Sequence, residues 1–262
     1  MTQENQRRLQ GEQMLKQVLG TSVPEAPSPF RDATLDFVFS EVWKRPGLDL
    51  RSRMWITLTC VGAADAATPI RTYLRAALAT GIATRDELDE YILHFAVYCG
   101  WPKASYLQVV LNDVVEELNK SGVTQIPPRE TQPLVPAVSE QERINVGEDW
   151  FRKINLVEPP PRNAAYYHNG ILNFVFGEMW TRPQLDVRAR RWITVAGCAV
   201  SDAEVPILSH VYAAMKSGDC SFEEMGEFVV HFGVYSGWAK AERIEEARQK
   251  TWAAITSGKS LI

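Results

Sequence analysis

Apolar residues recur along this chain with a helical period. Between Arg51 and Ala64, the side chains of Met54, Ile56, Leu58 and Val61 spread over broad faces of one helix, and Arg188 to Ser201 repeats the arrangement. Leu107, Val110, Val114 and Leu118 mark one side of a later helix. No segment sustains the apolar–polar alternation of a strand, so the pattern predicts an all-α chain. The helix boundaries agree. Pro69 and Pro206 suit the first turn of a helix, where a missing N–H costs nothing. Gly81 and Gly218 stand where a helix end needs left-handed backbone. Thr84-x-x-Glu87 and Ser221-x-x-Glu224 read as capping boxes. The helix that follows runs through Tyr91, His94 and Tyr98 and stops near Gly100, and a last helix opens at Pro102 or Ala239.

The pattern occurs twice. Shifted by 137 residues, Phe37-Val38-Phe39 falls on Phe174-Val175-Phe176, Trp55-Ile56-Thr57 on Trp192-Ile193-Thr194, and His94-Phe95 on His231-Phe232. From Phe37 to Ala104, 31 of 68 positions are identical to their partners, which predicts an internal duplication. The expected organisation is a helical domain over 1–121, a proline-rich linker over 122–139 carrying Pro127, Pro128, Pro133 and Pro136, and a second helical domain over 140–262. Within the second copy, Pro159-Pro160-Pro161 separates a first helix, about Gln141 to Ile154, from the next. Pro24, Pro27 and Pro29 do the same in the first copy.

Two copies of roughly 120 residues each fall in the usual domain size and can bury a real core. A net charge of -4 with no strong basic patch argues against a nucleic-acid partner. No run approaches the length of a membrane span, and the polar opening from Met1 to Gln13 is unlike a signal peptide, so a cytoplasmic protein is expected. Cys60, Cys99, Cys198 and Cys220 form no close pair, which argues against a disulfide framework or a zinc site. P-loop, GxGxxG, HExxH and GxSxG motifs do not occur, so no nucleotide, flavin or metal cofactor is expected.

Three groups of residues can carry chemistry. His94 and Tyr98, and their copies His231 and Tyr235, are four apart and share a helix face, with Trp101 and Trp238 just beyond a helix-ending glycine. Each set reads either as an imidazole and a phenol facing one pocket with an indole wall, or as a packed core helix. His210 lies one turn before Ala213-Ala214, where the first copy has Tyr73, and histidine alone of the two titrates near neutral pH. A site present in only one copy is therefore expected at His210; a surface or interface histidine is the other reading. Glu41-x-Trp43-x-Arg45-Pro46 and Glu178-x-Trp180-x-Arg182-Pro183 precede Asp49-x-Arg51-x-Arg53 and Asp186-x-Arg188-x-Arg190. Most of these form caps and ion pairs; Arg53 and Arg190 are the candidates for holding a substrate carboxylate.

The stretch Phe39 to Arg53, the central runs Tyr73 to Gly81 and His210 to Gly218, and the closing runs His94 to Ala104 and His231 to Ala241 together resemble the carboxymuconolactone decarboxylase family. That family also includes the alkylhydroperoxidase AhpD-like proteins. The resemblance covers most of both copies. It implies small helical bundles that associate into trimers and hexamers, hence a pseudo-dimer within this chain and a homo-oligomer such as a trimer. The peroxidase branch uses C-x-x-C-x-x-x-H with an upstream glutamate. Here Ala203 and Pro206, and Ala66 and Pro69, stand at the cysteine positions, and Arg191 and Met54 at the glutamate, so a thiol peroxidase is disfavoured. The decarboxylase branch implies a cofactor-independent lyase or isomerase acting on a small unsaturated lactone or organic acid. His210, His231 and Tyr235 are its candidate catalytic groups. Arg190, Trp238, Glu178, His94, Tyr98, Trp101, Arg53 and Tyr73 are its candidate substrate contacts. Two departures stand out: Ala239 replaces the closing proline in the second copy, and Tyr73 the central histidine in the first. The alternative is a non-catalytic, ligand-binding or scaffold member. An enzyme should bring His210, His231 and Arg190 to one closed pocket; a scaffold should leave them dispersed and individually bonded.

Overall fold

The computed structural model describes residues 3–22, 26–127 and 138–258, and every regular element among them is a helix. The first half contains α1 (Gln3–Leu19), then α2 (Pro29–Ala33), which runs into a π-helical stretch, π1 (Thr34–Trp43). It continues with α3 (Leu50–Ala63), α4 (Ala67–Ala79), α5 (Arg85–Cys99) and α6 (Trp101–Ser121). The second half contains α7 (Glu140–Asn155), π2 (Tyr166–Met179), α8 (Val187–Val200), α9 (Glu204–Lys216), α10 (Phe222–Ser236) and α11 (Trp238–Ser257). Helices α7 to α11 begin 137 residues after α1, α3, α4, α5 and α6 respectively. Pro24, Pro128, Pro133 and Pro136 lie outside the described residues.

The helix ends follow local chemistry. Asp49 and Asp186 cap α3 and α8 by accepting from the backbone N–H of Ser52 and Ala189. Both expected capping boxes are formed, Thr84 with Glu87 and Ser221 with Glu224, and a third joins Ser139 to Glu142. Gly100 and Gly237 both adopt φ 95°, which lets α5 turn into α6 and α10 into α11 within one residue. The closing helices therefore start at Trp101 and Trp238, one residue ahead of the sequence expectation.

The main core is continuous across the halves. Trp55, Phe95 and Leu107 belong to the same buried cluster as Trp192, Phe228 and Ile244. Helix α3 packs on α8 and α10, and α5 packs on α8. A smaller cluster of Ile154, Phe176 and Trp180 ties α7 to π2. The consequence for function is that residues on α5 and α10 face the opposite half. No helix among the described residues is long and apolar enough to cross a membrane.

Candidate active site

Two buried clusters lie where the halves meet, and each takes its histidine from one half and its arginine from the other. In the first, Arg190 on α8 places Nη1 3.0 Å from Nδ1 of His94 on α5. The other ring nitrogen, Nε2, lies 2.9 Å from Oγ1 of Thr194. The Trp180 indole donates to the Tyr98 hydroxyl at 3.0 Å. Arg190 has a partner at each nitrogen: Nε donates to the Leu185 carbonyl, and Nη2 donates to Glu90 and to the Arg182 carbonyl. Arg182 holds the same Glu90 carboxylate at 2.8 Å.

The second cluster repeats these connections with the halves exchanged. Nη1 of Arg53 lies 3.4 Å from Nδ1 of His231, and Thr57 Oγ1 lies 2.8 Å from Nε2. The Trp43 indole donates to Tyr235 at 2.7 Å, and Glu227 is held by Arg45 and Arg53. Helical spacing builds both. Glu90, His94 and Tyr98 stand four apart on one face of α5, as do Glu227, His231 and Tyr235 on α10. Arg190 and Thr194, and Arg53 and Thr57, do the same on α8 and α3.

These bonds fix where the protons lie. A guanidinium only donates, so Nδ1 of each histidine accepts, and Nε2 carries the proton and donates to threonine. With an indole N–H directed at each phenol oxygen, the phenol's own proton points away from the indole. Burial, then the Arg190 charge, holds His94 well below the ordinary histidine range. Burial and Arg53 do the same to His231. Both rings are neutral at neutral pH. Burial pushes the Tyr98 phenol up and that of Tyr235 to about 12, so both stay protonated.

The clusters differ on the onward side. Tyr235 and Tyr73 share a hydrogen bond at 2.7 Å, so each phenol has its partner within the protein. At the matching place Tyr98 meets the His210 ring edge-on, with centroids 5.9 Å apart. Among the described residues Nδ1 of His210 has no hydrogen-bond partner, although the residue is only 8% exposed. Burial, then the Arg191 charge, lowers His210 to about 3. Arg191, 1% exposed, stands where the first half has Met54. Its Nε donates to Asp219 at 3.0 Å and its Nη2 to the Ile154 carbonyl at 2.7 Å, while Nη1 has no partner among the described residues. Its charge acts on both His210 and Tyr98. Gly197 lets α8 close on α5 here: a Cβ added to it would lie 2.8 Å from that of Tyr98. Cys60 occupies the equivalent position in the other cluster.

The expected convergence of His210, His231 and Arg190 does not occur. Arg190 and His210 share the first cluster with His94 and Tyr98, whereas His231 and Tyr235 share the second with Arg53 and Tyr73. The reason is that α5 and α10 each pack against the opposite half. Glu178 pairs with Arg143 on α7 at 3.2 Å. Trp101 and Trp238 are 53% and 55% exposed, lying against Phe174 and Phe37 of the opposite half. The buried indoles of the clusters are instead Trp180 and Trp43. Sequence reasoning missed Thr57, Thr194, Glu90, Glu227 and Arg191 as cluster members. A signal existed for the first four: each is a polar residue inside a largely apolar helix and identical to the residue 137 positions away.

Cys60, Cys99, Cys198 and Cys220 are free, and burial pushes each thiol up to about 12. At neutral pH they are protonated and poor nucleophiles. No group of three or more histidine, cysteine or acidic residues among the described residues is arranged to hold a metal ion.

Residues 29–111 match the model of the carboxymuconolactone decarboxylase family. The chain is 30% identical over 123 residues to a 4-carboxymuconolactone decarboxylase of Acinetobacter baylyi, spanning 91% of that protein and 44% of this chain. It is also 30% identical over 121 residues to a nitrosuccinic acid decarboxylase of Metarhizium robertsii, spanning 84% of that protein and 43% of this chain. Each relative is thus matched nearly whole by less than half of the present sequence. With these likenesses, the chain belongs to the carboxymuconolactone decarboxylase family.

Proposed function

We propose that this chain is a decarboxylase of a small organic acid, acting through its own side chains at the cluster of His94, Tyr98, Arg190, Thr194 and His210. The observation that carries the reading is one buried cluster in which Arg190 and Thr194 hold His94, Trp180 holds the Tyr98 phenol, and that phenol packs against His210, whose Nδ1 has no hydrogen-bond partner among the described residues. The two decarboxylases it resembles act, by their names, on a carboxylated lactone and on a nitro acid. In such acids a carbonyl or nitro group can accept the electrons left behind by CO2.

The C–CO2 bond breaks, CO2 leaves, and the electron pair passes through the conjugated system to an oxygen. The Tyr98 hydroxyl donates a hydrogen bond to that oxyanion, a pre-aimed donor in a dry site. His210 takes a proton from solvent when the anionic acid binds, because a nearby negative charge favours the imidazolium. It then delivers that proton to the carbon that lost CO2. Trp180 holds the phenol in position, and Arg190 and Thr194 hold His94 beside it. The second cluster, where Tyr235 is closed off by Tyr73, favours a structural role joining the halves.

The test is CO2 release from a panel of unsaturated lactone acids, nitro acids and keto acids. At least one should be turned over, and His210→Gln should slow that turnover by about 10²–10⁴-fold. Release by His210→Gln equal to that of the parent protein would reject the assignment.

A further inference from the structure

The groups given chemical roles above are closed in. His94 and His210 are buried, and the Trp180 ring stands edge-on to His94 with centroids 5.0 Å apart while its N–H holds Tyr98. An acid reaches them only if some element moves, and the two halves differ in which element is free to do so. In the first half, Leu15, Val18 and Leu19 of α1 and Leu35, Phe39 and Trp43 of π1 all belong to the main core. In the second half no apolar residue of α7 or π2 does; Ile154, Phe176 and Trp180 form a core of their own. The cause lies in the sequence. Leu15 and Val18 correspond to Arg152, which is exposed and paired with Glu158, and to Asn155, which is buried and polar. The apolar burial that fastens α1 to its half is therefore missing from α7 at these two places.

Helices α7 and π2 nevertheless hold each other tightly. A Cβ added to Gly147 would lie 1.8 Å from the Leu172 carbonyl oxygen, and one added to Gly177 would lie 2.6 Å from that of Arg143, so the two backbones touch. Arg143 bonds Asn173 and Glu178 across the same seam. Among the described residues, the hydrogen bonds from this hairpin to other helices lie at the first cluster: the Trp180 indole donates to Tyr98, and the Ile154 carbonyl accepts from Arg191. Leu185, just beyond Trp180, is back in the main core. We infer that the hairpin of α7 and π2 is a lid on the first cluster. It swings as one body about residues 181–184, lifts Trp180 from Tyr98 and opens a path to His210, while the hairpin of α1 and π1 stays closed over the second cluster. That the lid admits an acid rests on the decarboxylase reading; that it opens does not.

The test compares the two indoles that hold the phenols. Trp180 and Trp43 are equally buried and matched in the repeat, and each donates its N–H to a tyrosine. In the whole, ligand-free chain, hydrogen–deuterium exchange of the Trp180 indole N–H, followed by nuclear magnetic resonance, should be at least about tenfold faster than that of Trp43, because only Trp180 is carried by a lid. Arg152→Leu with Asn155→Val restores the apolar residues of the first half. It should slow Trp180 exchange by about tenfold and leave Trp43 unchanged. If the double variant does not fold, as judged by near-ultraviolet circular dichroism, Asn155→Val alone serves. Exchange of Trp180 no faster than that of Trp43, or unchanged in the folded variant, would overturn the inference. Turnover is read separately. A less populated open state lowers kcat/KM for an acid that releases CO2 by the factor by which exchange slows. If exchange slows while kcat/KM is unchanged, the lid does not admit the acid and the inference fails. If no acid in the panel releases CO2 while the exchange rates differ as stated, the decarboxylase reading fails and the lid stands.

Discussion

Removing one oxygen atom at a time separates the two clusters. In Tyr98→Phe the Trp180 indole N–H, 3.0 Å from the phenol oxygen, loses its acceptor. One buried donor left unmet costs about 1–3 kcal/mol. In Tyr235→Phe two groups are stranded, the Trp43 indole at 2.7 Å and the Tyr73 hydroxyl at 2.7 Å, so the cost is about 2–6 kcal/mol. The order of damage to activity is the reverse. Tyr98 supplies the donor to the oxyanion, and losing such a donor lowers kcat by about 10²–10³-fold. Tyr235 bonds only to other protein side chains, and its loss should leave turnover near that of the parent. Stability is measured by urea unfolding followed through tryptophan fluorescence, and activity by CO2 release at a temperature where both variants are folded. The account requires Tyr235→Phe to be the less stable and Tyr98→Phe the less active. If Tyr235→Phe were folded yet lost more turnover than Tyr98→Phe, the assignment of the active cluster would be refuted.

Three further outcomes follow from the same geometry. The folded-state values of His94, His210 and His231 are all depressed, so below the unfolded value of about 6.5 the unfolded chain binds protons that the folded chain does not. Stability should therefore fall as pH drops from about 6.5 toward 5, approaching about 1.4 kcal/mol per pH unit for each ring, and a flat urea midpoint over that window would contradict the burial of these imidazoles. Gly197→Ala places a methyl 2.8 Å from the Tyr98 Cβ. It should cost about 1–3 kcal/mol and lower turnover by displacing the phenol, whereas Gly170→Ala, with open space around it, should leave turnover unchanged. With all four thiols held up to about 12, a cysteine-free variant should keep its CO2-releasing activity, and mass spectrometry should show Cys60, Cys198 and Cys220 unmodified after iodoacetamide at pH 7; rapid alkylation of the folded protein would count against this.

The helices were readable because their signals are local. Thr84 with Glu87, Asp49 before α3, and Gly100 after α5 each act within a turn of their own position. Burial of Arg53 and Arg190 was half readable: each interrupts an apolar helix, which marks it as exceptional without saying what it meets. The partner was not readable, because nothing local to α8 specifies that Arg190 bonds a histidine from the other half. That pairing is set by how α5, α8, α3 and α10 cross, a property of packing rather than of any one segment. The π-helical course of Thr34–Trp43 and Tyr166–Met179 was missed for a related reason, since the apolar residues there suit an α-helix as well. Arg191 was noticed only as a departure from a glutamate. Its meaning depends on Asp219 and Ile154, which are distant in sequence.

The central claim is that only the His94–Tyr98 cluster receives a ligand. It is tested most directly by nuclear magnetic resonance on protein carrying ¹⁵N-labelled tryptophan. The indole signals of Trp180 and Trp43 report on Tyr98 and Tyr235 respectively, and Trp180→Phe and Trp43→Phe assign them. Titration with an acid that the CO2-release panel identifies as a substrate should move the Trp180 signal and leave that of Trp43 in place. Movement of the Trp43 signal alone, or of both to the same degree, would contradict the account.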